Sequence, residues 1–209
     1  MIPLQIAAIV EGDGEVESVP VLLRRYAELA GWNGRVRIAP VIRQPASKLI
    51  KPGELERHVE LAARKLGGPG GVFVLLDCED DCPATLGPAL LARVRQARND
   101  LPTTVVLAHR EFEAWFLGSA ESIAGRRHLP LNLQSHPSPE SVRGCKEWLA
   151  DQMPRDQGYD EVSDQPALTQ LFDLDRARNS CPSFEKCDRE LWWLIQQVAA
   201  ITPGFLSQA

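Results

Sequence analysis

No apolar run in the 209-residue chain approaches the roughly 20 residues that a membrane-crossing helix needs. The N-terminal apolar stretch, Ile2 to Val10, has no basic flank and ends abruptly at Glu11, the wrong shape for a secretory signal, so a cytoplasmic protein without a membrane partner is expected. A basic excess is missing too. The 23 Lys and Arg against 28 Asp and Glu leave a formal charge of −5. Diffuse attraction to nucleic acid is thereby excluded, and any such contact must come from local patches, a bound metal or a partner. The five cysteines (Cys78, Cys82, Cys145, Cys181, Cys187) are odd in number and lack a standard zinc-finger spacing. Neither a disulfide framework nor a structural zinc is expected. Internal repeats and low-complexity tracts are also absent.

What remains is an ordinary folded composition, 44% hydrophobic and 24% charged, long enough for one domain with an elaboration. Leu4 to Val10 is a nearly continuous apolar run with β-branched residues, the pattern of a strand covered on both faces. Glu15 to Ala30 repeats apolar residues at helical spacing and stops at Gly31. Arg35 to Ile42 alternates as a strand, with Pro40 placing it near an edge. A loop from Arg43 to Pro52 leads to a helix over Glu54 to Leu66, closed by a Gly and Pro cluster. Val72 to Leu76 reads as a buried strand, Leu86 to Arg98 as a helix, and Thr103 to Ala108 as another buried strand. The order predicts an α/β fold, a Rossmann-like, mainly parallel sheet with helices on both faces. After Ala108 only helices are expected, near Arg110 to Leu117, Pro139 to Ala150, Gln165 to Phe172 and Ser183 to Ala200. Residues 1–118 therefore read as the α/β domain and 119–209 as a helical annex packed on it.

In an open parallel sheet, ligands bind in the crevice beyond the strand C-termini. Acidic residues follow three of the four expected strands there: Glu11, Asp13 and Glu15 after the first, Asp77, Glu79, Asp80 and Asp81 after the third, Glu111 and Glu113 after the fourth. Converging like charges raise one another's pKa unless a cation neutralises them. An all-oxygen donor set suits Mg²⁺ or Mn²⁺, the usual engine of phosphodiester hydrolysis. Glu11, directly at a buried strand end, and Asp77, which interrupts an apolar run, carry this reading best. Asp13, Glu17, Asp80 and Asp81 are explained as well by helix capping.

These residues resemble a known family. Val10-Glu11-Gly12 at a strand end, with Glu15 opening a helix, is similar to the Glu-Gly…Glu signature of Toprim-fold nucleases of the OLD type, and Asp77-Cys78-Glu79 matches the second Toprim motif, with Glu in place of the usual second Asp. Arg110 to Leu117 (REFEAWFL) and the tail Ser183-Phe184-Glu185-Lys186 resemble the Toprim-like family catalogued as domain of unknown function 4276. The resemblance implies a Toprim-type fold and a Mg²⁺- or Mn²⁺-dependent nuclease, acting on nucleic acid beside an ATPase partner in a bacterial defence system. It assigns Glu11 as ligand or general base, Asp77 and Glu79 as ligands, Glu15 and Glu113 as completing the metal shells, and Lys186 as the catalytic lysine. The alternative it leaves is a non-catalytic Toprim-like subunit that binds a partner ATPase.

Other residues are weighed on chemistry alone. Arg24, Arg43 and Lys48, with neighbouring arginines, are candidates for a strand-tracking groove or a solvated surface. Trp115, Trp148, Trp192 and Trp193 lie on expected helices and read as packing residues rather than base-stacking platforms. A receiver-like phosphoacceptor is ranked last, because Ala108-His109 offers no hydroxyl after the fourth strand.

Overall fold

The computed structural model describes residues 3–202; Ile2, where the apolar run begins, and residues 203–209 lie outside it. The first apolar run forms strand β1 (Leu4–Val10), buried along its whole length. Helix α1 (Asp13–Leu29) follows, and the expected second strand is split into β2 (Val36–Ile38) and β3 (Ile42–Arg43). Both pieces run parallel to β1, β2 against its start and β3 against its end. The split is a slip of one residue in the pairing: Ile6 faces Ile38 in β2, but Ile9 faces Ile42 in β3, and the extra residue falls in the stretch around Pro40, between the bonds from Ala39 N–H to the Ile6 carbonyl and from Gln44 N–H to the Val10 carbonyl.

The stretch expected as a loop contains one helical turn, α2 (Ala46–Leu49), before α3 (Glu54–Leu66). Helix α3 ends at Gly67, whose φ of 69° is left-handed and suits a residue without a side chain. Strand β4 (Gly71–Cys78), helix α4 (Pro83–Ala97) and strand β5 (Thr103–His109) complete the sheet. Its order is β2-β1-β4-β5, with β3 beside β1, and every pairing is parallel.

Strand periodicity divides the core. Leu4, Ile6, Ala8 and Val10 point to the face covered by α1 and the C-terminal helices, whereas Ala7 and Ile9 point to α3 and α4. No strand follows β5 among the described residues. Short helices α5 (Ala114–Gly118), α6 (Cys145–Asp151), α7 (Asp164–Thr169) and α8 (Leu174–Ser180) lead to the long α9 (Pro182–Ile201). The annex shares the sheet's core: Leu191, Leu194 and Val198 of α9 belong to the same buried cluster as β1 and α1. Contact is close enough that a Cβ on Gly71 would meet Leu194 and Val198 side-chain carbons at 2.7 Å. Trp115 is fully buried against Phe112 and Phe184, its Nε1 donating to Ser183 Oγ at 2.9 Å. No helix among the described residues is long and apolar enough to cross a membrane.

Candidate functional site

The C-terminal ends of the parallel strands open into a crevice of about 460 Å³. Glu11, one residue past β1, is half-buried there, and its Oε2 accepts from the Asp77 backbone N–H at 3.3 Å. Burial raises its pKa above the ordinary 4.5; the N–H groups of Ala46 and Asp77 pull the other way, and Glu15 and Glu79 push it up again. Asp77 belongs to the last turn of the β4 ladder, and its Oδ1 accepts from Phe112 N–H at 3.0 Å. That bond, with Arg110 in a left-handed conformation (φ 71°), shapes the turn after β5 and delays the expected helix until Ala114. Burial drives the Asp77 pKa well above 3.8, and Glu15, Glu113 and Glu11 add to the rise.

Glu15, in the first turn of α1, is almost fully buried. One carboxylate oxygen accepts from Gly12 N–H at 2.7 Å, the reciprocal half of a capping box, and the other from the Gln165 amide at 2.9 Å. The same amide nitrogen donates to Glu113 Oε1, which also takes the Tyr159 hydroxyl, both at 2.9 Å. Glu113 is fully buried beneath the crevice and does not line it. Its second oxygen, and Gln165 Oε1, have no hydrogen-bond partner among the described residues. Burial pushes the Glu113 pKa up to about 7.

A lysine enters this acidic edge from the annex. Lys146, in the first turn of α6, lines the crevice and is bonded to Glu161. Burial alone would lower its pKa, but Glu113, Glu161 and Asp77 hold it above the ordinary 10.5, so it stays an ammonium ion.

Of the residues singled out in the sequence, the fold brings Glu11, Glu15, Asp77 and Glu79 to one crevice, Glu79 exposed at its rim, with Glu113 beneath. Arg43 lines the crevice and pairs with Asp13 at 2.8 Å. Arg24 is exposed on α1, and Lys48 lies on α2; neither lines the crevice. Lys186 is not brought to the carboxylates: it pairs with Glu190 on α9 and lines a separate depression beside β5. The carboxylates' lysine neighbour is Lys146. The five cysteines are all free. His109 faces Glu140 at 3.5 Å, and His58 is buried with Nδ1 2.7 Å from the Glu54 carbonyl.

A family model described as "Domain of unknown function (DUF4276)" matches residues 10–190. The chain belongs to this family. The match spans every crevice residue named above, from Glu11 through Lys146 to Glu161. No curated protein and no solved structure matches.

Among the described residues, no three His, Cys, Asp or Glu side chains converge closely enough to hold a metal ion alone. Mg²⁺, however, is ordinarily held by one or two carboxylates with water and substrate oxygens completing the shell. The donor set fits that habit. Its donors are all oxygen, and burial, with neighbouring carboxylates adding to it, raises the pKa values of Glu11 and Asp77, a rise that a bound cation would offset.

Proposed function

We propose that the protein is a divalent-cation-dependent phosphodiesterase of the nuclease type, with its reaction centre at the strand-terminal crevice. The observation that carries the reading is the meeting of Glu11 and Glu15, from the β1–α1 stretch, with Asp77, from β4, in one crevice that also holds the Lys146 ammonium group of the annex. So many carboxylates, each tied down by a backbone or side-chain donor, make a costly arrangement unless a cation and an anionic substrate complete it. Glu11 and Asp77 are the residues to hold Mg²⁺ or Mn²⁺, with Glu15 behind them. A bound Mg²⁺ or Mn²⁺ would supply Lewis-acid polarisation of a phosphoryl oxygen.

The chain's own groups do the rest. Glu11 is placed to act as general base, accepting the proton of an attacking water at a carboxylate oxygen. The N–H of Asp77 fixes its orientation. Lys146 presents a permanent positive charge to the phosphate as negative charge grows on it, and Glu161 holds that ammonium in place. Gln165 and Tyr159 stand behind Glu15 and Glu113 and keep both carboxylates from rotating. The Toprim likeness of Glu11-Gly12, Glu15 and Asp77-Cys78-Glu79 supports the same reading, and the partner ATPase implied by that likeness is part of this proposal.

Isothermal titration of Mn²⁺ into the wild type and Asp77→Asn, with hydrolysis of bis(p-nitrophenyl) phosphate and plasmid nicking followed on the same preparations, tests the reading. Binding and hydrolysis are expected in the wild type and lost in the variant. Metal-independent hydrolysis, or an Asp77→Asn protein as active as the wild type, overturns it.

A further inference from the structure

Two exposed aspartates on the rims of the crevice, Asp13 and Asp80, are tied to arginine: Arg43 lines the crevice itself, and Arg143 and Arg110 adjoin it through Asp80. On one rim Arg43, the last residue of β3, pairs with Asp13 in the first turn of α1 at 2.8 Å. On the other, Asp80 in the loop after β4 takes Arg143 at 2.6 Å and has Arg110, the first residue past β5, at 3.6 Å. β3 and β5 lie on opposite sides of the sheet, with β1 and β4 between them. Three strand spacings of about 4.8 Å set these rims about 14 Å apart. Glu11 and Asp77 occupy the floor between. Each rim's arginine is held by its own aspartate, so the two rims offer separate grips.

The pairs are built to exchange. Asp13 and Asp80 are more than half exposed, and ion pairs so placed hold weakly, whereas the arginine fork matches a phosphate bidentately. Arg110 adds a fixed element. It is held in a left-handed conformation (φ 71°) that side-chain-bearing residues seldom adopt, donates to the Glu79 carbonyl, and keeps a buried Nε without a partner.

We propose, on the footing of the phosphodiesterase reading above, that the crevice takes an internal stretch of a single nucleic-acid strand. Arg43 grips a phosphate on one side of the scissile position, and Arg143 with Arg110 grips one on the other. Each arginine leaves its aspartate as the phosphate arrives, so Asp13 and Asp80 act as competing guards. A substrate with phosphates on both sides of the reacting one is favoured over a terminal or isolated diester.

The test is fluorescence anisotropy of a fluorescein-labelled oligothymidylate in calcium buffer. Asp13→Asn and Asp80→Asn free the arginines and should each tighten binding by roughly two- to fivefold, the scale of an exposed ion pair. Asp81→Asn is the control. Asp81 is exposed, lines the same crevice and has no ion pair among the described residues, so its neutralisation should leave affinity unchanged. Arg43→Ala and Arg143→Ala should weaken binding and each lower the slope of log K against log salt by about 0.7, the single-strand value per phosphate contact. An effect of Asp81→Asn as large as that of Asp80→Asn, unchanged affinity in both guard variants, or an unchanged salt slope overturns the proposal. Failure of the wild type and both guard variants to bind the oligonucleotide overturns it as well. Metal-dependent hydrolysis of bis(p-nitrophenyl) phosphate, which has no flanking phosphates, leaves the phosphodiesterase reading standing in each of those cases.

Discussion

Glu113 makes the fold itself sensitive to pH. Its carboxyl is fully buried, one oxygen lacks a donor, and its pKa is pushed from the ordinary 4.5 to about 7. Between those two values the folded protein keeps a proton that the unfolded chain has released, so stability falls as pH rises through the window and is lowest above it. The displacement corresponds to about 3 kcal/mol, most of which lies between pH 5 and pH 8. Glu113→Gln keeps the shape and an acceptor for Tyr159 and Gln165 but cannot ionise. Urea unfolding of both proteins in EDTA at pH 5 and pH 8 measures the difference. The raised pKa of Glu11 tilts both profiles alike and drops out of the comparison to first order, whereas that of Asp77, which Glu113 helps to raise, relaxes in the variant and acts in the same direction as the loss of Glu113 itself. The variant should gain about 2 to 3 kcal/mol on the wild type between the two pH values. Parallel profiles would show that Glu113 is not held protonated, and would refute the account of its burial.

Three further outcomes are expected. Lys146→Ala should lower phosphodiester hydrolysis by about 100-fold or more, the usual cost of removing one charged stabiliser, while Lys186→Ala, in the depression beside β5, should leave the rate unchanged; steady-state kinetics on the two variants separates the lysines. Gly71→Ala should destabilise the fold by about 1 to 3 kcal/mol, because the new methyl group meets Leu194, Val198 and the Pro102 carbonyl at 3.0 Å or less, and thermal unfolding reads the loss directly. Gln165→Ala should release Glu15 and Glu113 together, lowering kcat more than Mn²⁺ affinity, since Gln165 holds these two carboxylates while Glu11 and Asp77, the proposed ligands, keep their own backbone donors; Mn²⁺ titration beside kinetics checks the split.

The sheet was legible because its strands are buried on both faces and so declare themselves as apolar runs. β1 and α3 have the bounds read from the sequence, and β4 and β5 differ only at their ends. Legibility declined where a local rule met a tertiary demand. Arg35 to Ile42 alternates like one strand, yet its pairing with β1 slips by one residue around Pro40 and the strand becomes two. The helix expected from Arg110 begins late because Asp77 takes the Phe112 N–H for the crevice. Helix α8 was missed altogether, although Asp173 caps it through the N–H groups of Asp175 and Arg176. Its Asp-Leu-Asp-Arg start is a signal that could have found it.

The crevice divides along the same line. Glu11 and Asp77 could be placed because a strand's end fixes where its next residue goes, and parallel strands send those ends to one edge. Lys146, Glu161, Tyr159 and Gln165 could not, because their positions depend on how the annex folds back over the sheet. Each belongs to a short element or a loop with little periodicity of its own. The likeness in the tail pointed to Lys186, but α9 crosses the sheet with its first turns beside β5, which carries that lysine away from the strand ends. A lysine was needed at the acidic edge on charge grounds alone, since buried carboxylates in this number demand a compensating cation. That requirement names a charge and a place without naming a residue. Only the packing of α6 against the turn after β5, where Glu111 receives the N–H groups of Cys145 and Lys146, delivers the residue. The annex therefore supplies the cation and the carboxylate supports that the sheet edge lacks, so truncating it should remove Lys146 from the site along with the packing beneath it.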